Sequence, residues 1–150
     1  MRRVHYYETD AMKIAHHANY VKWMEEARTE FFREIGFNWC DFEKETGIMI
    51  PVLFQSVEYK NLLCFGEEFF IECELNKFNG VKMELHYTFR SVEDGRVNAI
   101  GITKHGFIDS SYKPIALQKE DQILYNKLSS YTKEKTINKP QETLYQKRKQ

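Results

Sequence analysis

Between Asn19 and Ile35 the apolar residues recur at the spacing of one helix face: Tyr20, Trp23, Met24, Ala27 and Phe31. Lys22, Glu25, Glu26, Thr29, Glu30 and Arg33 fill the opposite side. Gly36 follows Ile35 directly, at a position where a left-handed residue ends a helix without a Cβ clash. The spacing predicts one helix of about four and a half turns. A stripe of that bulk needs a surface to cover.

Downstream the period changes to two. Met49–Lys60, Glu68–Phe78, Val81–Val92 and Arg96–Asp109 read as strands. The third alternates cleanly, with Met83, Leu85, Tyr87 and Phe89 on one face and Glu84, His86, Thr88 and Arg90 on the other. Asn79-Gly80 and Glu93-Asp94-Gly95 are hairpin signals. The last strand is apolar on both faces (Ala99, Ile100, Ile102, Phe107, Ile108), which suits a central or interface strand. With Arg3–Glu8 as a first strand, the order is β-α-β-β-β-β. Short links between the later strands predict a meandering antiparallel sheet under one long helix, an α+β layout. No internal repeat is present.

Composition narrows the class. A chain of 150 residues is the size of one domain, and 42% hydrophobic with 15% aromatic residues is an ordinary globular balance. The formal net charge is zero, so bulk electrostatics gives no pull toward nucleic acid or an anionic membrane. No stretch approaches the roughly 18 apolar residues of a membrane helix, and no apolar run follows Arg2 and Arg3 as in a secretory signal. Cys40, Cys64 and Cys73 show no CxxC spacing and read as reduced, packed thiols of a cytoplasmic protein. Charge is uneven along the chain. From Asn126 to Gln150 seven basic residues face two acids, a balance of +5, so the rest carries −5. The tail from Thr132 on is poor in apolar residues and is expected to be peripheral.

The candidate chemistry sits where the helix begins. The first N–H groups of a helix have no partner within it and lie at the positive end of its dipole, so they stabilise negative charge growing on an oxygen. Asp10 lies across a loop of six residues, Ala11 to His16, from that end. A carboxylate beside an oxyanion-binding helix end suits hydrolysis of an activated ester or thioester. By itself Asp10 is equally a turn residue. His16 and His17 are surface histidines or, with His5, part of a metal site, although no HxxxH or HExxH spacing supports a metal.

The run YYETDAMKIAHHANYVKWMEEAR, Tyr6 to Arg28, closely resembles the opening of hotdog-fold acyl-CoA thioesterases of the 4-hydroxybenzoyl-CoA thioesterase family. It looks most like the branch that includes the Tol-Pal-associated thioesterases of bacteria. The resemblance is densest from Tyr6 to Glu34, continues through VEYKNLLCFGEEFFIE (Val57–Glu72), and has no counterpart after about Leu117. It implies a hotdog domain at 1–117, a long helix wrapped by a curved five-stranded antiparallel sheet, and a basic, peripheral extension at 118–150.

By the same resemblance, Asp10 matches the catalytic aspartate. His17 matches the histidine beside the thioester, and its own N–H matches the donor that polarises the carbonyl. Tyr6 resembles a tyrosine near the aspartate. Asn19 and Tyr20 match common family residues, with substrate contact and helix packing as their two readings. Lys13 stands where many relatives have glycine, which bears on loop conformation. Phe54, Tyr59 and Leu62 are expected in the pocket walls. The implied reaction hydrolyses an acyl-CoA to free acid and CoA, with no cofactor or metal, since CoA is part of the substrate. The implied assembly is a dimer or dimer of dimers, with no nucleic acid and no membrane insertion. An acyl carrier protein as acyl donor, a hotdog dehydratase or isomerase, and a non-catalytic acyl-thioester-binding protein are the alternatives.

Overall fold

The helical stripe is buried as its spacing predicts. In a computed structural model that describes residues 1–137, helix α1 runs Ala18–Glu34 and buries Tyr20, Trp23, Met24, Phe31 and Phe32. Gly36, at φ +80°, turns the chain away from it. The Trp23 ring lies 4.7 Å from Phe69 and 5.2 Å from Tyr20. A short helix that the hydrophobic pattern did not signal, α2 (Trp39–Thr46), follows. The Asn38 side chain caps it by accepting from Cys40 N–H, and Gly47 ends it in the left-handed region.

Under α1 lies one antiparallel sheet of β1 (Arg2–Arg3), β2 (Val52–Tyr59), β3 (Glu68–Phe78), β4 (Lys82–Ser91) and β5 (Val97–Gly106). Their spatial order is β1-β3-β4-β5-β2. Only β3, β4 and β5 form the expected meander. Strand β2 instead pairs with β5 at the far edge, from Phe54↔Lys104 to Tyr59↔Ala99, because strand pairing depends on partners that local alternation does not encode. On β4 the predicted inward set, Met83, Leu85, Tyr87 and Phe89, is wholly buried. The Asn79-Gly80 turn closes the first hairpin, with Asn79 Oδ1 accepting from Val81 and Lys82 N–H. The expected first strand, Arg3–Glu8, shrinks to two residues followed by a 3-10 turn at Tyr6–Glu8. The cause is Glu8, whose buried carboxylate accepts from His5 N–H and meets Arg2 and Trp23.

The stretch expected to be peripheral packs onto the core for part of its length. Leu117 begins α3 (Leu117–Glu120), and α4 (Gln122–Ile137) buries Leu124 and Leu128, an i, i+4 pair on one face. Tyr131 packs edge-on against Phe31, and Tyr125 sits 5.6 Å from Phe78. Lys139, Lys147, Arg148 and Lys149 of the basic tail lie outside the described residues. Among the described residues no helix is long and apolar enough to cross a membrane. Of the three cysteines, Cys40 and Cys64 are exposed and only Cys73 is partly packed.

A polar chain crosses the core between α1 and β5. His105, wholly buried, has Nε2 2.8 Å from Thr103 Oγ1. That hydroxyl lies 2.8 Å from the Tyr87 hydroxyl, which accepts from Arg28 at 3.2 Å. Burial, reinforced by the Arg28 charge, pushes the His105 pKa down to about 4. A histidine with a depressed folded pKa takes its proton first in the unfolded state, so stability is lost as pH falls from about 6.5 toward 4. The expected loss over that window is roughly 3 kcal/mol. Urea midpoints measured at several pH values in that range check it, and an equally steep slope in His105→Gln would assign it elsewhere.

Candidate active site

Asp10 is held by a small hairpin rather than by the end of a strand. Thr9 bridges Ala15, Asp10 N–H donates to Ile14 O at 3.0 Å, and Lys13 N–H donates to Asp10 O at 2.9 Å. The Asp10 carboxylate accepts from Met12 N–H at 2.8 Å, which tightens the turn. Lys13 occupies φ +60°, the left-handed region where glycine is at ease. A side chain there costs about 1 kcal/mol, so the departure at this position is a strained one. A second segment clamps the hairpin from outside: Ala15 N–H donates to Leu63 O at 2.7 Å, Phe65 N–H to Lys13 O at 3.0 Å, and Ile14 bridges Cys64.

The helix entrance is fixed to the same hairpin through one carbonyl. Glu8 O accepts from His16 N–H at 2.8 Å and from the Asn19 amide at 2.7 Å. Asn19 therefore spends a side-chain donor on the backbone, the helix-entrance role among its two readings. Within the first turn, Ala18 N–H donates to His16 Nδ1, and Asn19 N–H donates to His16 O. Tyr20 N–H bonds His17 O. Among the described residues no group accepts from His17 N–H, which leaves it available at the positive end of α1.

Asp10 and His17 line one cavity of about 230 Å³. Tyr20 and Tyr59 form its aromatic wall, packed edge-on at 4.9 Å, and Met12 and Leu62 flank its mouth. Tyr20 is nearly wholly buried, and burial pushes its phenol up to about 12, so it is a neutral wall. The Tyr59 hydroxyl donates to His17 O at 3.5 Å, and burial raises its pKa as well. A larger cleft of about 410 Å³ lies between α1 and β3, where Glu26 and Glu30 are already paired with Arg2 and Arg33 and the rest of the wall includes Trp23, Phe31, Phe70 and Ile71. Volume does not choose the site here; the carboxylate beside a helix end does.

Of the five residues proposed from sequence, Asp10, His17 and Tyr20 meet at this cavity. Asn19 lies behind it. Tyr6 is largely exposed and meets Phe65 edge-on at 5.9 Å, away from the Asp10 carboxylate's surroundings. Of the three expected wall residues, Tyr59 and Leu62 line the cavity, while Phe54 lies under the Lys104 ammonium on β2. Met12, Asn61 and Leu63 were missed. Met12 lies within the dense resemblance of Tyr6–Arg28, and Asn61 and Leu63 within the fainter one over Val57–Glu72, but no local pattern marks any of them as wall residues. His16 and His17 stack at 4.1 Å, whereas His5 stacks on Tyr7. Among the described residues no three His, Cys, Asp or Glu side chains converge as a metal site.

A carboxylate, an unclaimed helix N–H and an apolar wall around one cavity can together accept a proton, stabilise an oxyanion and seat an acyl group. The model of the thioesterase-like superfamily matches residues 4–140 of this chain. A Bacillus subtilis (strain 168) protein named "Putative acyl-CoA thioesterase YneP" is 35% identical over 117 residues, covering 77% of this chain and 83% of its own. The acyl-CoA thioesterase YbgC of Haemophilus influenzae is 24% identical over 127 residues, 84% of this chain and 92% of its own. The crystal structure of the DHNA-CoA thioesterase from Staphylococcus aureus superposes with a TM-score of 0.86 at 27% identity, covering 95% of each chain. With β-α-β4 order, a helix laid across a five-stranded antiparallel sheet and a family match over most of its length, the chain belongs to the thioesterase-like superfamily and has its hotdog fold.

Proposed function

We propose that this protein is an acyl-CoA thioesterase that hydrolyses its substrate to a free acid and CoA. The observation that carries the reading is the placement of Asp10 and the unclaimed N–H of His17 on one cavity. The thioester carbonyl oxygen faces the helix end, which takes the negative charge as the carbonyl is attacked. Asp10 supplies the carboxylate, as general base toward water or as the nucleophile itself. The C–S bond then breaks and the thiolate leaves; where Asp10 itself attacks, water then cleaves the mixed anhydride to the free acid and restores the carboxylate. A thiol of pKa about 8.5 needs little acid help to depart, so one carboxylate and one oxyanion donor suffice. The His17 imidazole orients water or protonates the leaving sulfur. Tyr20 and Tyr59 bound the acyl group. Within the superfamily, the motif at Tyr6–Arg28 favours the 4-hydroxybenzoyl-CoA thioesterase family and its Tol-Pal-associated branch. The reaction uses no cofactor, and the protein acts in the cytoplasm.

The enzyme works as a dimer or dimer of dimers. Strand β2 supports this: it is an edge strand whose Val52, Leu53, Phe54 and Tyr59 stay about half exposed, because α1 does not reach over it. Tyr59 belongs both to that edge and to the cavity wall, so a second copy on β2 abuts the site. Sedimentation of a dimer or larger species at micromolar concentration is the expected result, and a monomer would refute the assembly.

The functional reading is tested by incubating the purified protein with acyl-CoAs of short aliphatic, long aliphatic and aromatic type and trapping free thiol. Release of CoA is expected from at least one class. Binding without turnover would indicate a carrier, and an enoyl or 3-hydroxyacyl product a dehydratase. Turnover confined to acyl carrier protein substrates would replace the donor.

A further inference from the structure

Behind the cavity, a wholly buried asparagine on β5 grips the segment that clamps the Asp10 hairpin. The backbone carbonyl of Asn98 accepts from Lys60 N–H at 2.8 Å and Asn61 N–H at 3.0 Å, and its side-chain Nδ2 donates to Leu62 O at 3.0 Å. Asn61 returns a bond from its own amide to Val97 O at 2.8 Å. The chain is thereby turned sharply off the end of β2, and the next carbonyl, Leu63 O, points at Ala15 N–H. Ile14 O, one residue back, receives Asp10 N–H. Three successive hydrogen bonds thus connect the Asn98 amide to the backbone of Asp10, with Leu62 and Leu63 between them in the cavity wall.

This asparagine is a poor choice for stability. It is fully buried inside a strand, where Asn is disfavoured, and its Oδ1 has no hydrogen-bond partner. An apolar residue of the same size would remove the orphan Oδ1, at the cost of the donor that Leu62 O now has. The two backbone bonds from Lys60 and Asn61 would survive such a change, whereas the bond to Leu62 O would not. What the Asn98 side chain adds is therefore the direction of the peptide that leads into the clamp.

We infer that Asn98 is a positioning residue for thioester hydrolysis, holding the Leu62–Leu63 wall and, through it, the Asp10 hairpin in register with the entrance of α1. The inference rests on the proposed function for its kinetic consequence but not for its structural one. A displacement of the carboxylate by about 1 Å is enough to reduce turnover by up to roughly 100-fold.

The test is Asn98→Leu in the full chain, compared with Leu128→Ala, a core truncation in α4 at the opposite end of α1. Expected for Asn98→Leu is a kcat lowered about 10- to 100-fold with KM changed by less than about threefold. Amide exchange of Ala15 and Asp10, followed by NMR, should accelerate while that of β3 and β4 does not. Leu128→Ala should lower the melting temperature and keep its kcat at temperatures where it is folded. Wild-type turnover in Asn98→Leu, loss of kcat no greater than that of Leu128→Ala, or unchanged exchange at Ala15 and Asp10 would overturn the inference. If the wild-type protein releases CoA from no substrate, the functional reading fails and the exchange data alone decide the positioning. Asn98→Ser, too short to reach Leu62 O, gives the same readouts should the leucine variant not fold.

Discussion

Asp10→Asn is expected to lower kcat by roughly 10³- to 10⁴-fold while leaving KM within a few fold of wild type. The substitution is chosen because it separates chemistry from structure. An asparagine oxygen still accepts from Met12 N–H, the one side-chain bond the Asp10 carboxylate makes among the described residues, so the tight turn through Lys13 survives. What disappears is the negative charge and the ability to take a proton or form an acyl bond. Helix α1 and its His17 N–H remain, so substrate still binds with its carbonyl polarised and some residual turnover persists. Asp10→Ala, by contrast, removes the turn bond as well and confuses the two effects. Steady-state kinetics on the best substrate of the acyl-CoA panel, with a melting curve to show an intact fold, is the measurement. Near-wild-type turnover in Asp10→Asn would remove this carboxylate from the mechanism.

Trp23→Ala carries the largest expected loss of stability, about 4 kcal/mol, or a melting temperature lower by about 10 °C. Two contributions add. The first is packing: the ring is almost wholly buried and bridges the helix to the sheet through Phe69 and Phe89, with Tyr20 alongside. The second is electrostatic. Trp23 Nε1 donates to Glu8 Oε1 at 3.1 Å, inside a site where that carboxylate is nearly inaccessible. Burial pushes the Glu8 pKa up, but the His5 N–H, the Arg2 guanidinium and the Trp23 N–H outweigh it and hold the group below its ordinary value. A carboxylate with a depressed folded pKa stabilises the protein above its unfolded pKa, and that contribution is lost as pH falls through the folded value.

Trp23→Phe divides the two contributions. It keeps most of the packing and removes only the N–H, so it should cost about 1–2 kcal/mol at neutral pH. Urea unfolding reads both variants, with Trp39 left as the fluorescent reporter. A loss below about 1 kcal/mol in Trp23→Ala would mean that the aromatic stripe does not anchor the helix. The consequence reaches the site, because the Glu8 carbonyl holds both His16 and Asn19 at the helix entrance.

The residues that proved hardest to place are those whose neighbours come from elsewhere in the chain. The resemblance sets Tyr6 near Asp10, while the demand of Glu8 for three donors coils Tyr6–Glu8 into a 3-10 turn and sends the Tyr6 ring toward Phe65. Leu62 and Tyr59 were legible as wall residues only through resemblance. Asn98 was invisible, since nothing near it along the chain says that its amide will meet Leu62 O, 36 residues away. Lys13 was visible as an oddity, and its φ of +60° gives that oddity a physical content.

Periodicity along the chain carried α1, β3, β4 and the hairpin turns, because a helix face and a strand face are properties of residues a few positions apart. The same locality placed Asp10 just ahead of the first turn of the helix. Folding in three dimensions decided the rest. Strand β2 went to the outer edge beside β5, and Leu124 and Leu128 closed onto the core. Two loops, Asp10–Ala15 and Asn61–Phe65, were zipped together into one wall. These outcomes depend on which surfaces find each other across long sequence separations, and local pattern is silent about such choices.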